Sequence, residues 1–166
     1  MASDGRLAIY PGTFDPVHLG HVDVARRAAS LFDRVVVAVV RDRPSKPLLF
    51  TVAERVVLFQ EALSDLANVT VESYEGLTVR YAERGEAHCV VRGLRGAIDF
   101  EYEYHMTSMN RHLAPAVDAV FLMTPPQHLY LSSSLIKEVA AQGGSMEGLV
   151  SAHVARALQM KLGGTG

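Results

Sequence analysis

His18 and His21 stand three residues apart, just after Gly12-Thr13-Phe14-Asp15-Pro16. A glycine-bearing turn that runs into a helix start points backbone N–H groups at one place, and the helix dipole favours an anion there. Gly20 permits close backbone approach. If the first helical turn holds both histidines, they share a face. Their N–H groups could then stabilise charge developing on a pentacoordinate phosphorus. Taken singly, either histidine reads more readily as a buried ring with a backbone partner. A metal pair is a weaker alternative, because no third ligand and no H-E-x-x-H pattern is evident. The expectation is therefore no protein-held metal. Neither G-x-x-x-x-G-K-[ST] nor G-x-G-x-x-G occurs, so the common nucleotide loops are absent.

A second candidate is Ser132-Ser133-Ser134, which precedes Leu135. Three serines there can cap a helix and offer hydroxyl and N–H groups to an anion, although a plain cap explains them as well. Lys46 lies between Pro44 and Pro47 and reads either as a cation on a stiffened arm or as a solvated lysine. No convincing Ser–His–Asp or Cys–His arrangement stands out.

These groups need a frame. Leu7–Tyr10 reads as a strand ended by Pro11-Gly12. Val35–Val40, with five valines in six residues, reads as a strand covered on both faces, and Val69–Val71, Cys89–Val91 and Val117–Met123 read as three more. Helical spacing marks 22–32, 77–84, 100–113, 132–142 and 146–162. A further helix follows Thr51, with Glu54 at the capping-box position. Strands alternating with helices predict an α/β domain with a five-stranded parallel sheet flanked by helices. One domain spans 1–166, with loose ends at about 1–5 and 163–166. Ligands in such folds sit beyond the carboxyl ends of the strands, here near 11–21, 41–50, 74–78, 92–103 and 124–134.

Composition narrows the partners. Sixteen basic against eighteen acidic residues give a net charge of −2, unsuited to coating nucleic acid. Cys89 is the single cysteine, so no internal disulfide forms. The chain shows no run of about 20 apolar residues and a polar start, Met1 to Arg6, so the expectation is a cytoplasmic protein without membrane attachment.

The stretch Gly12-Thr13-Phe14-Asp15-Pro16 through His18, Gly20 and His21 resembles the signature of the nucleotidyltransferase superfamily that carries a T/H-x-G-H motif. From Ala8 to Leu162 the chain is similar to phosphopantetheine adenylyltransferases. The more specific pieces are Pro44-Ser45-Lys46, Arg92-Gly93-Leu94-Arg95, Asp99 to Glu103, Met109 to His112, and Ser132 to Val139. The resemblance implies a Rossmann-like fold and a reaction in which ATP and 4′-phosphopantetheine give dephospho-coenzyme A and pyrophosphate, without a covalent enzyme intermediate.

It also implies roles. Thr13 contacts the phosphopantetheine phosphate, while its backbone and that of Phe14 touch ATP. His21 contacts ATP and stabilises the transition state, Lys46 brings the two substrates' phosphates together, and Arg95 serves the β- and γ-phosphates; these three form the catalytic set. Gly93, Leu94 and Glu103 belong with ATP, as do His128, Leu129, Tyr130, Leu131, Ser132, Ser133 and Ser134. Arg92 lies on the acceptor side, and Leu77 and Thr78 grip the pantetheine arm. Magnesium accompanies ATP, the assembly is a homohexamer, and coenzyme A restrains the enzyme by occupying its site. The chain departs from the usual pattern at His18, where threonine is commoner, and at His128, often an aromatic position. It also has one more residue than some relatives between Arg41 and Lys46. An H-x-G-H form is commoner in nicotinate mononucleotide adenylyltransferases and cytidylyltransferases, so another adenylyltransferase is the alternative. A nucleotide-binding module without catalysis is the alternative of a different class.

Overall fold

Val35, Val37 and Val39 point to one face of a strand and Ala38 to the other, and all four are fully buried. That two-sided burial is why the valine run shows no polar alternation. In the computed structural model, which describes residues 5–42 and 44–163, this strand is β2 (Arg34–Val40). It lies between β1 (Leu7–Gly12) and β3 (Val69–Tyr74). β4 (Cys89–Leu94) and β5 (Asp118–Met123) follow on the other side of β1, giving the order β3-β2-β1-β4-β5. Every pairing is parallel, as expected. The chain winds outward from β1 in one direction, then returns to begin β4 beside it. The switch point therefore falls between the carboxyl ends of β1 and β4.

Helices cover both faces. Ala8, Tyr10 and Val91 pack with α1 (Leu19–Leu31), α2 (Val52–Ala62), α5 (Ser133–Ala141) and α6 (Ala152–Leu162), through Val24, Phe59, Ile136 and Leu158. Leu7, Ile9 and Val90 face the other way, toward Val79 and Ala82 of α3 (Thr78–Arg84) and Ala114 at the end of α4 (Ala97–Leu113). The alternation along β1 follows from the two-residue period of a strand.

Local signals set several helix ends. The Thr51 side chain accepts from the Glu54 N–H while Glu54 accepts from the Thr51 N–H at 2.8 Å, completing the expected capping box. Ser132 caps α5 by accepting from the Leu135 N–H. Other boundaries differ from expectation. α1 begins at Leu19 rather than Val22, because His18 supplies a side-chain cap. α4 begins at Ala97 rather than Phe100. The last helix begins at Ala152 rather than Met146. Gly148 takes φ +75, a left-handed conformation that interrupts a helix, and the Leu149 carbonyl accepts from the Leu19 N–H instead of an intrahelical donor. A one-turn 3-10 helix at Pro126–His128 has no counterpart in the sequence reading. Of the ends expected to be loose, residues 1–4 and 164–166 lie outside the described residues. Among the described residues no helix is long and apolar enough to cross a membrane.

Candidate active site

Above the switch point, the segments following β1, β2, β4 and β5 enclose a cleft of ≈ 450 Å³. From the first segment come Thr13, Phe14, Asp15, His18 and His21, and from the second Lys46 and Leu48. β4 and α4 supply Arg92, Gly93, Arg95, Asp99 and Glu103. The last segment and α5 add Thr124, His128, Leu131, Ser132, Ser133, Ser134 and Lys137.

The two motif histidines form a reciprocal cap. His18 Nδ1 accepts from the His21 N–H, and His21 Nδ1 accepts from the His18 N–H. The rings stack with centroids 3.6 Å apart, and the Phe14 edge meets His21 at 4.9 Å. A Cβ on Gly20 would come within 3.0 Å of the His18 ring, so the close approach that Gly20 permits is used by this histidine. Burial, with smaller contributions from Arg95 and His128, lowers the His18 pKa to about 3. Burial also holds His21 well below the usual value, aided by His18, Arg95 and Arg92. Both rings are thus neutral near pH 7. With Nδ1 accepting, the ring proton sits on Nε2, which makes each a neutral N–H donor.

Charge in the cleft is largely paired. Asp15 binds Lys137 at 2.7 Å, Asp99 binds Arg95 at 3.1 Å, and Glu103 binds Arg92 at 2.6 Å. Lys46 instead donates to Ser134 Oγ at 3.1 Å, which leaves its charge without a carboxylate partner among the described lining residues. The three serines divide their work. Ser132 caps α5, Ser133 Oγ donates to the Pro16 carbonyl at 2.8 Å, and Ser134 meets Lys46. Arg95 also donates to the Leu131 carbonyl, joining β4 to the last segment.

Other expected site residues lie elsewhere. Leu94 is buried at the end of β4 and does not line this cleft. Leu129 and Tyr130 are exposed outside it, just beyond the 3-10 turn. Leu77 and Thr78 line a neighbouring cleft of ≈ 250 Å³, with Tyr74, Tyr102, Met106 and Asn110. The two clefts share Pro11, Gly12, Arg92 and Glu103. The sequence reading missed Lys137, Asp99 and Thr124 as lining residues. Lys137 had a usable signal, because it stands three residues after Ser134 on one helix and so falls on the same side.

The cytidylyltransferase-like family model matches residues 9–139. The chain is 50% identical over 159 residues to the phosphopantetheine adenylyltransferase of Nitratidesulfovibrio vulgaris, covering 96% of this chain and 85% of that protein. With the enzyme of the same name from Dehalococcoides mccartyi it shares 52% over 156 residues, covering 94% and 98%. With that from Oleidesulfovibrio alaskensis the figures are 48% over 162 residues, covering 98% and 95%. A solved Vibrio parahaemolyticus protein described as a nicotinate-nucleotide adenylyltransferase superposes with a TM-score of 0.68 at 18% identity, over 93% of this chain and 91% of its own. That likeness speaks to the fold. Identity near one half along almost the whole chain goes further, and by it this chain belongs to the phosphopantetheine adenylyltransferase family.

Proposed function

We propose that the protein transfers the adenylyl group of ATP to 4′-phosphopantetheine, giving dephospho-coenzyme A and pyrophosphate. The observation that carries this is the near-half identity, end to end, with enzymes of that name. The joined clefts support it: one suits a nucleotide, the other a long flexible arm, and both meet at Arg92.

In this reading a phosphate oxygen of the acceptor attacks the α-phosphorus of ATP. One O–P bond forms, the bond from the α-phosphorus to the bridging oxygen breaks, and pyrophosphate leaves. No protein nucleophile is needed, so the residues act by orientation and charge. The His21 Nε2–H donates to the α-phosphoryl oxygens as their charge rises. Lys46, which has no carboxylate partner among the described lining residues, offsets the repulsion between the two phosphate groups. Arg95 takes the leaving pyrophosphate, and Thr13 and Arg92 hold the acceptor phosphate. Phe14, Gly93, His128, Leu131, Ser132, Ser133 and Ser134 face ATP, and Leu77 and Thr78 flank the arm.

Magnesium enters as part of the ATP substrate. Asp15, Asp99 and Glu103 are each committed to a cation, and the described residues include no cluster of histidine, cysteine and carboxylate side chains that could hold a metal. Phosphate oxygens and water are then its ligands. The protein works in the cytoplasm as a homohexamer. The exposed Ile98, Phe100 and Met109 of α4 offer apolar surface for that assembly. Coenzyme A, which contains the acceptor's arm and the product's nucleotide, competes for both clefts.

Pyrophosphate release from ATP, measured side by side with phosphopantetheine and with nicotinate mononucleotide, tests the reading. Release with phosphopantetheine is expected. Faster release with nicotinate mononucleotide would overturn it.

A further inference from the structure

Arg55 stands in the first turn of α2 and is 1% exposed, the least exposed charged side chain among the described residues. A buried cation is costly unless hydrogen bonds serve it. Here they all go to main-chain carbonyls. Nη1 donates to Thr13 and to Val40, each at 2.8 Å, Nη2 to Arg41 at 3.0 Å, and Nε to Phe50 at 3.3 Å. Thr13, Arg41 and Phe50 lie outside the strands and α2, where a buried carbonyl must find a donor other than a ladder or helix partner. Thr13 follows β1, Arg41 leaves β2, and Phe50 leads into α2. One guanidinium thus joins the motif loop to both ends of the segment that carries Lys46. Asp15 completes the joint by accepting from the Leu49 and Phe50 N–H groups, each at 2.9 Å. Phe50 is therefore held at its N–H by Asp15 and at its carbonyl by Arg55.

We propose that Arg55 is a positioning residue for Lys46, fixing both ends of the Lys46 segment against the motif loop at Thr13. The proposal rests on the reading of Lys46 given above, as the cation between the two phosphate groups. Arg55 does not line the cleft, so it acts through the backbone and touches no substrate. Lys46 sits between the two fastened ends and reaches Ser134 across the cleft. A group that must meet a transition state tolerates little error, and a misplacement of about 1 Å can cost roughly 10²-fold in rate. The choice of arginine also fits. Its rigid fork presents five N–H groups in one plane, and four of them are used here. A lysine ammonium has three donors at one point and cannot span four carbonyls.

The test uses the whole chain with Arg55→Lys, which keeps the charge but loses the planar fork, and Arg55→Met, which keeps an apolar stem and removes the buried charge. Rates are measured well below each variant's Tm and referred to active sites counted by calorimetric titration with ATP. In each folded variant kcat per site should fall about tenfold or more, by similar factors in synthesis and in pyrophosphorolysis. In a Lys46→Ala background the same substitution should cost about threefold or less, because Arg55 acts through Lys46. A smaller loss of kcat per site with a lowered Tm would assign Arg55 to the fold alone and overturn the proposal. So would a larger loss in the Lys46→Ala background, or failure of both variants to fold. Wild-type rates for Lys46→Ala would overturn the reading of Lys46 on which this rests. Wild-type protein that releases no pyrophosphate with phosphopantetheine would overturn the function reading itself, a result distinct from the others.

Discussion

His18 and His21 cap the same helix start from opposite directions, each Nδ1 accepting the other's backbone N–H, at 3.4 and 3.2 Å. Only His21 lies inside the helix, whereas His18 is its N-cap. A threonine at position 18 can take over that cap through its hydroxyl oxygen. His18→Thr should therefore keep phosphopantetheine as acceptor and leave turnover within roughly tenfold, about 1.4 kcal/mol of barrier. His21→Ala removes the donor and should lower turnover by ~10²–10³, far more than it weakens ATP binding. Steady-state kinetics of the two variants decide the matter. A loss in His18→Thr as deep as that in His21→Ala would make the rings a catalytic pair.

The same burial gives a pH signature. The His18 pKa falls from its ordinary 6.5 to about 3 on folding, and that of His21 moves the same way. A base whose pKa is depressed binds fewer protons in the folded state than in the unfolded one. Its stabilising effect is whole above pH 6.5 and is lost as pH falls from there toward 3. Urea midpoints measured between about pH 8 and about pH 4 should drop on the acid side. His18→Thr should flatten part of that drop. An unchanged acid limb in the variant would show that other groups control it.

Lys46 donates to Ser134 Oγ across the cleft, joining the segment after β2 to the start of α5. A cation that offsets repulsion between attacking and leaving phosphates serves synthesis and its reversal through one transition state. Lys46→Ala should slow dephospho-coenzyme A formation and its pyrophosphorolysis by similar factors. Ser134→Ala, which removes only the neutral partner, should slow them less. Wild-type rates in both directions for Lys46→Ala would assign the bridging charge to another residue.

The frame was legible because each of its signals is local. Val35–Val40 marks a strand by its run alone, and Thr51 with Glu54 marks a helix start by spacing. Met146–Val150 misled because its apolar spacing is helical, while the Gly148 backbone and the contact from Leu149 to Leu19 override it. The His18 cap was missed because histidine is not a habitual N-cap. The motif loops marked the right end of the sheet, yet spacing could not separate the inward-facing Leu131 from the exposed Leu129 and Tyr130. The ionic pairing of the cleft was illegible for a plainer reason. Arg92 and Glu103 lie on a strand and a helix, and Asp15 and Lys137 are 122 positions apart, so only the folded chain brings each pair together.

That Asp15–Lys137 pair supports a last prediction. Asp15 is 2% exposed and accepts from the Leu49 N–H, the Phe50 N–H and Lys137 Nζ, so it roots the Lys46 segment at its far end. Arg55, also buried, donates to the carbonyls of Thr13, Val40, Arg41 and Phe50 and fastens both ends of the same segment. Asp15→Asn keeps the shape but strands the Lys137 charge. Breaking a buried pair from one side costs about 3–5 kcal/mol, and the partial exposure of Lys137 argues for the lower end. At about 3 kcal/mol, a protein of this length should lose roughly 6–12 °C in Tm. Adding Lys137→Met removes the stranded charge, so the double variant should melt above Asp15→Asn alone. Its turnover should stay low, because Lys137 lines the cleft and the Lys46 segment has lost an anchor. Thermal melts of the two variants beside wild type check the sign. A double variant no more stable than the single one would mean that Asp15 stabilises the fold through the Leu49 and Phe50 N–H groups and not through Lys137.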